Sequence, residues 1–201
     1  ATGIIDVSGS GNILGAQSSG IPQVSDPIST LGTDPDLQVK TTSPCSLANG
    51  TTCTYDQPLT SSSTGVQVYD KAVTFSGTIN ASGVTIILLP GASFGTANAS
   101  VTLSPPASGP FANVLIDAPN YTGELNLDFG MSTVTLNGVI YAPQADLSLQ
   151  DQGGHTADLV LNADLILGTL DVGNKDNGNL TLNRYIPASG VSPLPRISLV
   201  E

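Results

Sequence analysis

The chain has 201 residues, with 16 acidic against 5 basic side chains and a net charge of −11. One domain is the expectation for this length, and so acidic a surface does not clasp a phosphate backbone, which sets nucleic acid aside as a partner. With 39% hydrophobic and only 10% charged residues the chain should fold, while the scarcity of Glu, Lys, Arg, Gln and Met leaves little from which to build helix surfaces.

The remaining composition, rich in Ser and Thr with 22 Gly and 14 Pro, favours short strands joined by frequent corners. No apolar run approaches the length needed to cross a bilayer; the longest, Val84 to Leu89, is interrupted by Thr85. No charged leader with an apolar core opens the chain, and Ala1-Thr2-Gly3 reads as a trimmed start.

The sequence reads as a single domain over 1–201. Ile4 to Leu14 alternates loosely. Residues 15–65 read as a Pro-rich strap and disulfide loop, punctuated by Ile21-Pro22, Asp26-Pro27, Asp34-Pro35 and Pro44-Cys45. Each proline fixes its own φ and pushes its predecessor toward extended geometry. Val24, Ile28, Leu31 and Leu37 would anchor the strap on a core. Cys45 and Cys53 flank the turn pair Asn49-Gly50, so the chain can fold back and join the two sulfurs. Such a bridge would staple a short loop, and it fits an exported protein. A metal site is not expected here, because His155 is the single histidine and there are no further cysteines.

From about Val66 the strands become regular. Val101-Thr-Leu103, Leu125-Asn-Leu127, Leu147-Ser-Leu149 and Leu170-Asp-Val172 share one apolar-polar-apolar form, at separations of 24, 22 and 23. Val84-Thr-Ile86, Val114-Leu-Ile116, Val139-Ile-Tyr141 and Leu159-Val-Leu161 form a second series, at 30, 25 and 20. Two interleaved series predict a coil in which each turn gives one strand to each face. Alternation would send Leu125, Leu127, Leu147, Leu149, Leu170 and Val172 inward, and place Asn126, Ser148 and Asp171 in an outer row. Gly77, Gly83, Gly91, Gly123, Gly138, Gly153, Gly168 and Gly178 fall between strands, at corners. The fold expected is all-β, a right-handed parallel β-helix; an antiparallel sandwich or jelly roll is the alternative. Residues 186–201, carrying Pro187, Pro193 and Pro195, read as a C-terminal tail or a cap over the last coil.

Thr133-Val-Thr-Leu-Asn-Gly-Val-Ile-Tyr-Ala-Pro-Gln-Ala145 resembles the "LNGVIYAPxA" stretch of TadG-like proteins of bacterial Tad/Flp pilus systems. Asn113 to Asp117 before it, and Leu147 to Gly154 after it, stand in the matching order. Val84-Thr-Ile-Ile-Leu88 is similar to that family's "GVTxxL" strand, Gln23 to Pro27 to its early "DP" segment, and Leu199-Val-Glu201 to its ending. The sequence departs from the family after the second cysteine, where Tyr55-Asp-Gln-Pro-Leu59 replaces a "PGxYxGG" coil. The resemblance implies a non-catalytic, exported structural or adhesive domain. It would lie outside the cell or in the periplasm, at the cell surface, with pilus or cell-envelope proteins and surface glycans as partners.

The candidate chemistry is sparse, and no catalytic, cofactor or metal residue is assigned. His155 follows Gly153-Gly154 with Asp151 and Asp158 nearby, but no G-x-S-x-G nucleophile accompanies it. It reads as a surface histidine. Asp117, Asp128, Asp146 and Asp171 could stack on neighbouring coils as a carbohydrate-cleaving or carbohydrate-binding set. Sugar grooves usually offer aromatic platforms, and this chain has no Trp, 5 Tyr and 4 Phe; its Lys40, Lys71, Lys175, Arg184 and Arg196 are scattered. Asp171 to Asn179, with Asn174 and Asp176, offers oxygen ligands suited to calcium but lacks EF-hand spacing, so it reads as a solvated turn. Tyr69, Tyr121, Tyr141 and Tyr185 could form a binding strip, although Tyr141 reads better as core or coil edge. The Thr-rich strands could order water, but their series is irregular.

Overall fold

The computed structural model describes residues 53–128, 133–150, 158–172 and 179–187. Residues 1–52 lie outside these, and with them most of the strap, Cys45 and the Asn49-Gly50 turn; so do His155, Asn174, Asp176 and 188–201. The described chain is all-β, with every strand pairing parallel to its neighbours. It winds as a right-handed parallel β-helix, with about four turns between its first and last rungs.

The strands are β1 (Cys53–Tyr55), β2 (Gly65–Tyr69), β3 (Ala72–Ser82), β4 (Val84–Leu88), β5 (Ser93–Ser104), β6 (Val114–Asp117), β7 (Glu124–Asp128), β8 (Val134–Gln150), β9 (Asp158–Val172) and β10 (Asn179–Asn183). Their registers divide the coil into three faces. Face A stacks β1, β2, β4, β6, the middle of β8 and the middle of β9. Face B stacks the starts of β3 and β5, then β7 and the ends of β8 and β9. Face C stacks the ends of β3 and β5, the starts of β8 and β9, and β10.

This geometry sorts the two sequence series. Leu125, Leu147 and Leu170 stack on face B as expected, but Val101 pairs with Val134 on face C; the residue stacked beneath Leu125 is Phe94. Val84, Val114 and Val139 belong to face A, whereas Leu159 pairs with Val134 on face C. Two similar repeat lengths concealed a third face. Each turn carries two apolar-polar-apolar segments of nearly the same form, and spacing alone does not tell one from the other.

Inside the coil, like side chains stack on like. Ile79, Val101, Val134 and Leu159 make one column on face C, and Ala81, Leu103, Leu136 and Leu161 another. All of these are buried. Phe75 and Phe94 meet edge to face within the core, centroids 5.0 Å apart. The starting end is plugged. After β1 the chain crosses beneath the first rung and inserts Leu59 into the core. Tyr69 donates to the Gln57 carbonyl at 2.9 Å, and the Asn80 amide donates to Ser61 Oγ at 2.9 Å, holding the plug.

The far end differs. Leu170, Val172 and Leu182 occupy interior columns yet are 43%, 45% and 50% exposed, because no described strand stacks on them. Leu170 and Val172 point inward as the alternation predicts; alternation sets direction, but burial needs a further rung. Of the tail or cap expected over 186–201, only 186 and 187 are among the described residues. Just before them Arg184 reaches Asp164 (3.9 Å) and the Tyr185 hydroxyl donates to Asn113 Oδ1 (3.1 Å).

Candidate functional site

The three outer surfaces differ in chemistry. On face A most outward positions are covered: buried Val66, Val68 and Ile87 pack with Phe111, while buried Val139 and Tyr141 pack with the half-buried Ile166. Asp117 lies in this outward row, in register between Ile87 and Tyr141. It is 4% exposed, and its Oδ1 has no hydrogen-bond partner. Burial pushes its carboxyl up to about 6.

Face B carries the expected row Asn126, Ser148, Asp171 in register. Asp171 is exposed and Asn126 half-buried, while the shorter Ser148 lies covered between them. Beside this row Glu124 stacks on Asp146, both exposed, and Thr169 Oγ1 donates to Asp146 Oδ1. The four aspartates considered together do not converge. Asp117 belongs to face A, Asp146 and Asp171 stand in different columns of face B, and Asp128 aligns with Gln150.

Face C is the solvent-facing polar sheet. Two of its outward columns are Asn80, Thr102, Thr135, Val160 and Thr181, and Ser82, Ser104, Asn137, Asn162 and Asn183, while Thr78, Ser100 and Asp158 belong to a third. The second column is a hydrogen-bonded ladder. Asn183 Nδ2 donates to Asn162 Oδ1 at 2.9 Å, and Asn162 Nδ2 to Asn137 Oδ1 at 2.9 Å. Asn137 Nδ2 donates to the Leu103 carbonyl at 3.0 Å and to Ser104 Oγ at 3.2 Å. Parallel stacking places identical amides one strand spacing apart, so each donates down the column and accepts from above.

A titratable cluster lies at the plugged end. The Tyr55 hydroxyl donates to Asp70 Oδ2 at 2.5 Å, the Asp70 amide donates to Asp56 Oδ1 at 3.2 Å, and Lys71 Nζ lies 3.1 Å from Asp56 Oδ2. The hydrogen bond to Asp70, together with burial, pushes the Tyr55 hydroxyl up to about 12. Burial alone would raise the Asp56 carboxyl, but hydrogen bonds with Asp70 and Lys71 outweigh it and hold the carboxyl below its usual range. At neutral pH, Tyr55 therefore keeps its proton and Asp56 its charge. The group acts as a latch between the first two strands of face A and is poorly matched to proton transfer.

The tyrosines do not form a surface strip. Tyr69, Tyr121 and Tyr141 are buried, the hydroxyls of Tyr69 and Tyr121 serving the Gln57 and Glu124 carbonyls. Sequence periodicity could not separate them from a strip, since all four fall near corners. Among the described residues, no three His, Cys, Asp or Glu side chains gather as metal ligands, and no helix is long and apolar enough to cross a membrane. The asparagine ladder went unread in the sequence. Its signal was an Asn ending each of three strand segments, at 137, 162 and 183. No family model, curated protein or solved structure matches the chain.

Proposed function

We propose that this chain is a non-catalytic, exported structural or adhesive domain of the TadG-like kind, serving Tad/Flp-type pilus biogenesis or surface attachment. The observation that carries this reading is the asparagine ladder on face C. Its amides are spent on one another along the coil axis, which makes a stiff, hydrogen-bonding surface suited to presentation rather than turnover. The Tyr55–Asp56–Asp70–Lys71 latch supports the same reading, because the Tyr55 hydroxyl is held protonated and the Asp56 carboxylate charged.

Partners on this reading are pilus or cell-envelope proteins, with surface glycans as a second class, and the compartment is extracellular or periplasmic. A Cys45–Cys53 bridge belongs to the same proposal. Intact mass after alkylation should show both thiols protected until reductant is added; alkylation without reductant would remove the bridge. Purified pilins mixed with the domain should raise light scattering or shift its sedimentation, and no association at high concentration would count against the pilus role. Release of reducing sugar that disappears in Asp146→Asn would overturn the non-catalytic reading.

A further inference from the structure

The last rung is an unfinished surface. Interior columns that are sealed elsewhere end there on Leu170, Val172 and Leu182. Among the described residues, β10 pairs only with β9, and the end of β9 only with β8. The backbone groups on their outer edges thus form an open template for pairing. Two possible caps find no support among the described residues. The opposite end of another molecule is closed by the Leu59 plug, so head-to-tail stacking has no apolar counterpart to meet. In the described start of the tail, the Arg184 side chain reaches Asp164 and the Tyr185 hydroxyl reaches Asn113, both on earlier rungs.

The sequence of β10 itself supplies the remaining argument. It reads Asn179-Leu180-Thr181-Leu182-Asn183, the same in both directions. A parallel strand laid on this edge gains nothing from that symmetry, whereas an antiparallel copy matches it at every position. With a two-fold axis through Thr181, Leu180 stands opposite Leu182 of the copy, Asn179 opposite Asn183 and Thr181 opposite its own mate. No charged residue lies in β10, so two chains that each carry −11 would meet here without opposing charges in the strand pair. The same axis exchanges faces A and B. It therefore sets the end of β9, with Leu170 and Val172, on the same side of the assembly as the half-buried Leu165 and Leu167 of the copy, one rung back from the β10 pair. We infer that the protein forms a head-to-head two-fold dimer through its last rung, with β10 pairing antiparallel to β10 of a second copy, centred on Thr181. A closed isologous contact of this kind ends the assembly at two chains, where an open edge would otherwise keep recruiting.

Thr181 is the probe that separates this from a fold effect, because its side chain is exposed and points away from the core. Sedimentation velocity on the full chain should show a concentration-dependent dimer. Thr181→Lys, which sets two ammonium groups against each other at the axis, should abolish that dimer with an unchanged far-ultraviolet circular dichroism spectrum. Under mild oxidation Thr181→Cys should give a covalent dimer on non-reducing gels. Thr102→Cys, in the same outward column but far from the open rung, should not. A chain that stays monomeric at every concentration would overturn the inference and leave the rung to a different partner or segment. So would a dimer indifferent to Thr181→Lys, or equal cross-linking of the two cysteine variants.

Discussion

Asp117 is the residue whose setting most contradicts its chemistry. It lies buried between Ile87 and Tyr141, with one carboxylate oxygen unpartnered. Its carboxyl is raised to about 6 by burial, so between the ordinary carboxylate range and about pH 6 the folded chain holds a proton that the unfolded chain has lost. Stability from this group is therefore complete at low pH and falls as pH rises through about 6. Asp117→Asn should be neutral near pH 4 and stabilising at pH 7, by on the order of 1–3 kcal/mol, read from urea midpoints at the two pH values. Gly138 makes the opposite prediction. Its φ is +122°, and an added Cβ would come within 2.8 Å of Pro105 Cγ and 3.1 Å of the Asn113 carbonyl. Gly138→Ala should lower the unfolding midpoint, at about 1–3 kcal/mol, through strain and crowding together.

At the scale of elements, the ladder on face C is a chain of dependencies. Asn162 both donates to Asn137 and accepts from Asn183, so Asn162→Ala strands a partner on each side. A loss of about 1–3 kcal/mol is expected in denaturant unfolding, against about 0.5 kcal/mol or less for Thr102→Ala on the neighbouring column. The sequence made part of this level legible. Leu125-Asn-Leu127, Leu147-Ser-Leu149 and Leu170-Asp-Val172 announced a parallel stack by repeating one pattern at nearly one spacing, and their registers agree. Val101 to Leu103 and Leu159 to Leu161 were placed on the wrong face, because an apolar-polar-apolar triplet has the same form on faces B and C. What distinguishes them is the bend between, and in β3, β5, β8 and β9 the chain makes that bend without leaving strand geometry. The candidate site was less legible still. A row of like residues becomes a ladder only when strand register brings the amides together, and a carboxylate such as Asp117 looks solvated until both sides of its sheet are covered.

Taken whole, the molecule is nearly one-dimensional, since each rung touches chiefly the rungs above and below. Stability in such a coil is a sum of local terms and neighbour contacts, and opening proceeds from whichever end is less well held. In the monomer that end is the last rung. In the monomeric Thr181→Lys variant amide exchange should be fastest in β10 and the end of β9, and slowest in β4, β6 and the middle of β8. Uniform exchange along the coil would contradict this gradient.

Face A has a further consequence. Its sheet is covered within and without, Phe111 lying over Val66, Val68 and Ile87 on the outer side, so the rod has a back that is closed to visitors. Strand-to-partner contact on the described coil is therefore left to the two remaining sides, which gives it a front and a back.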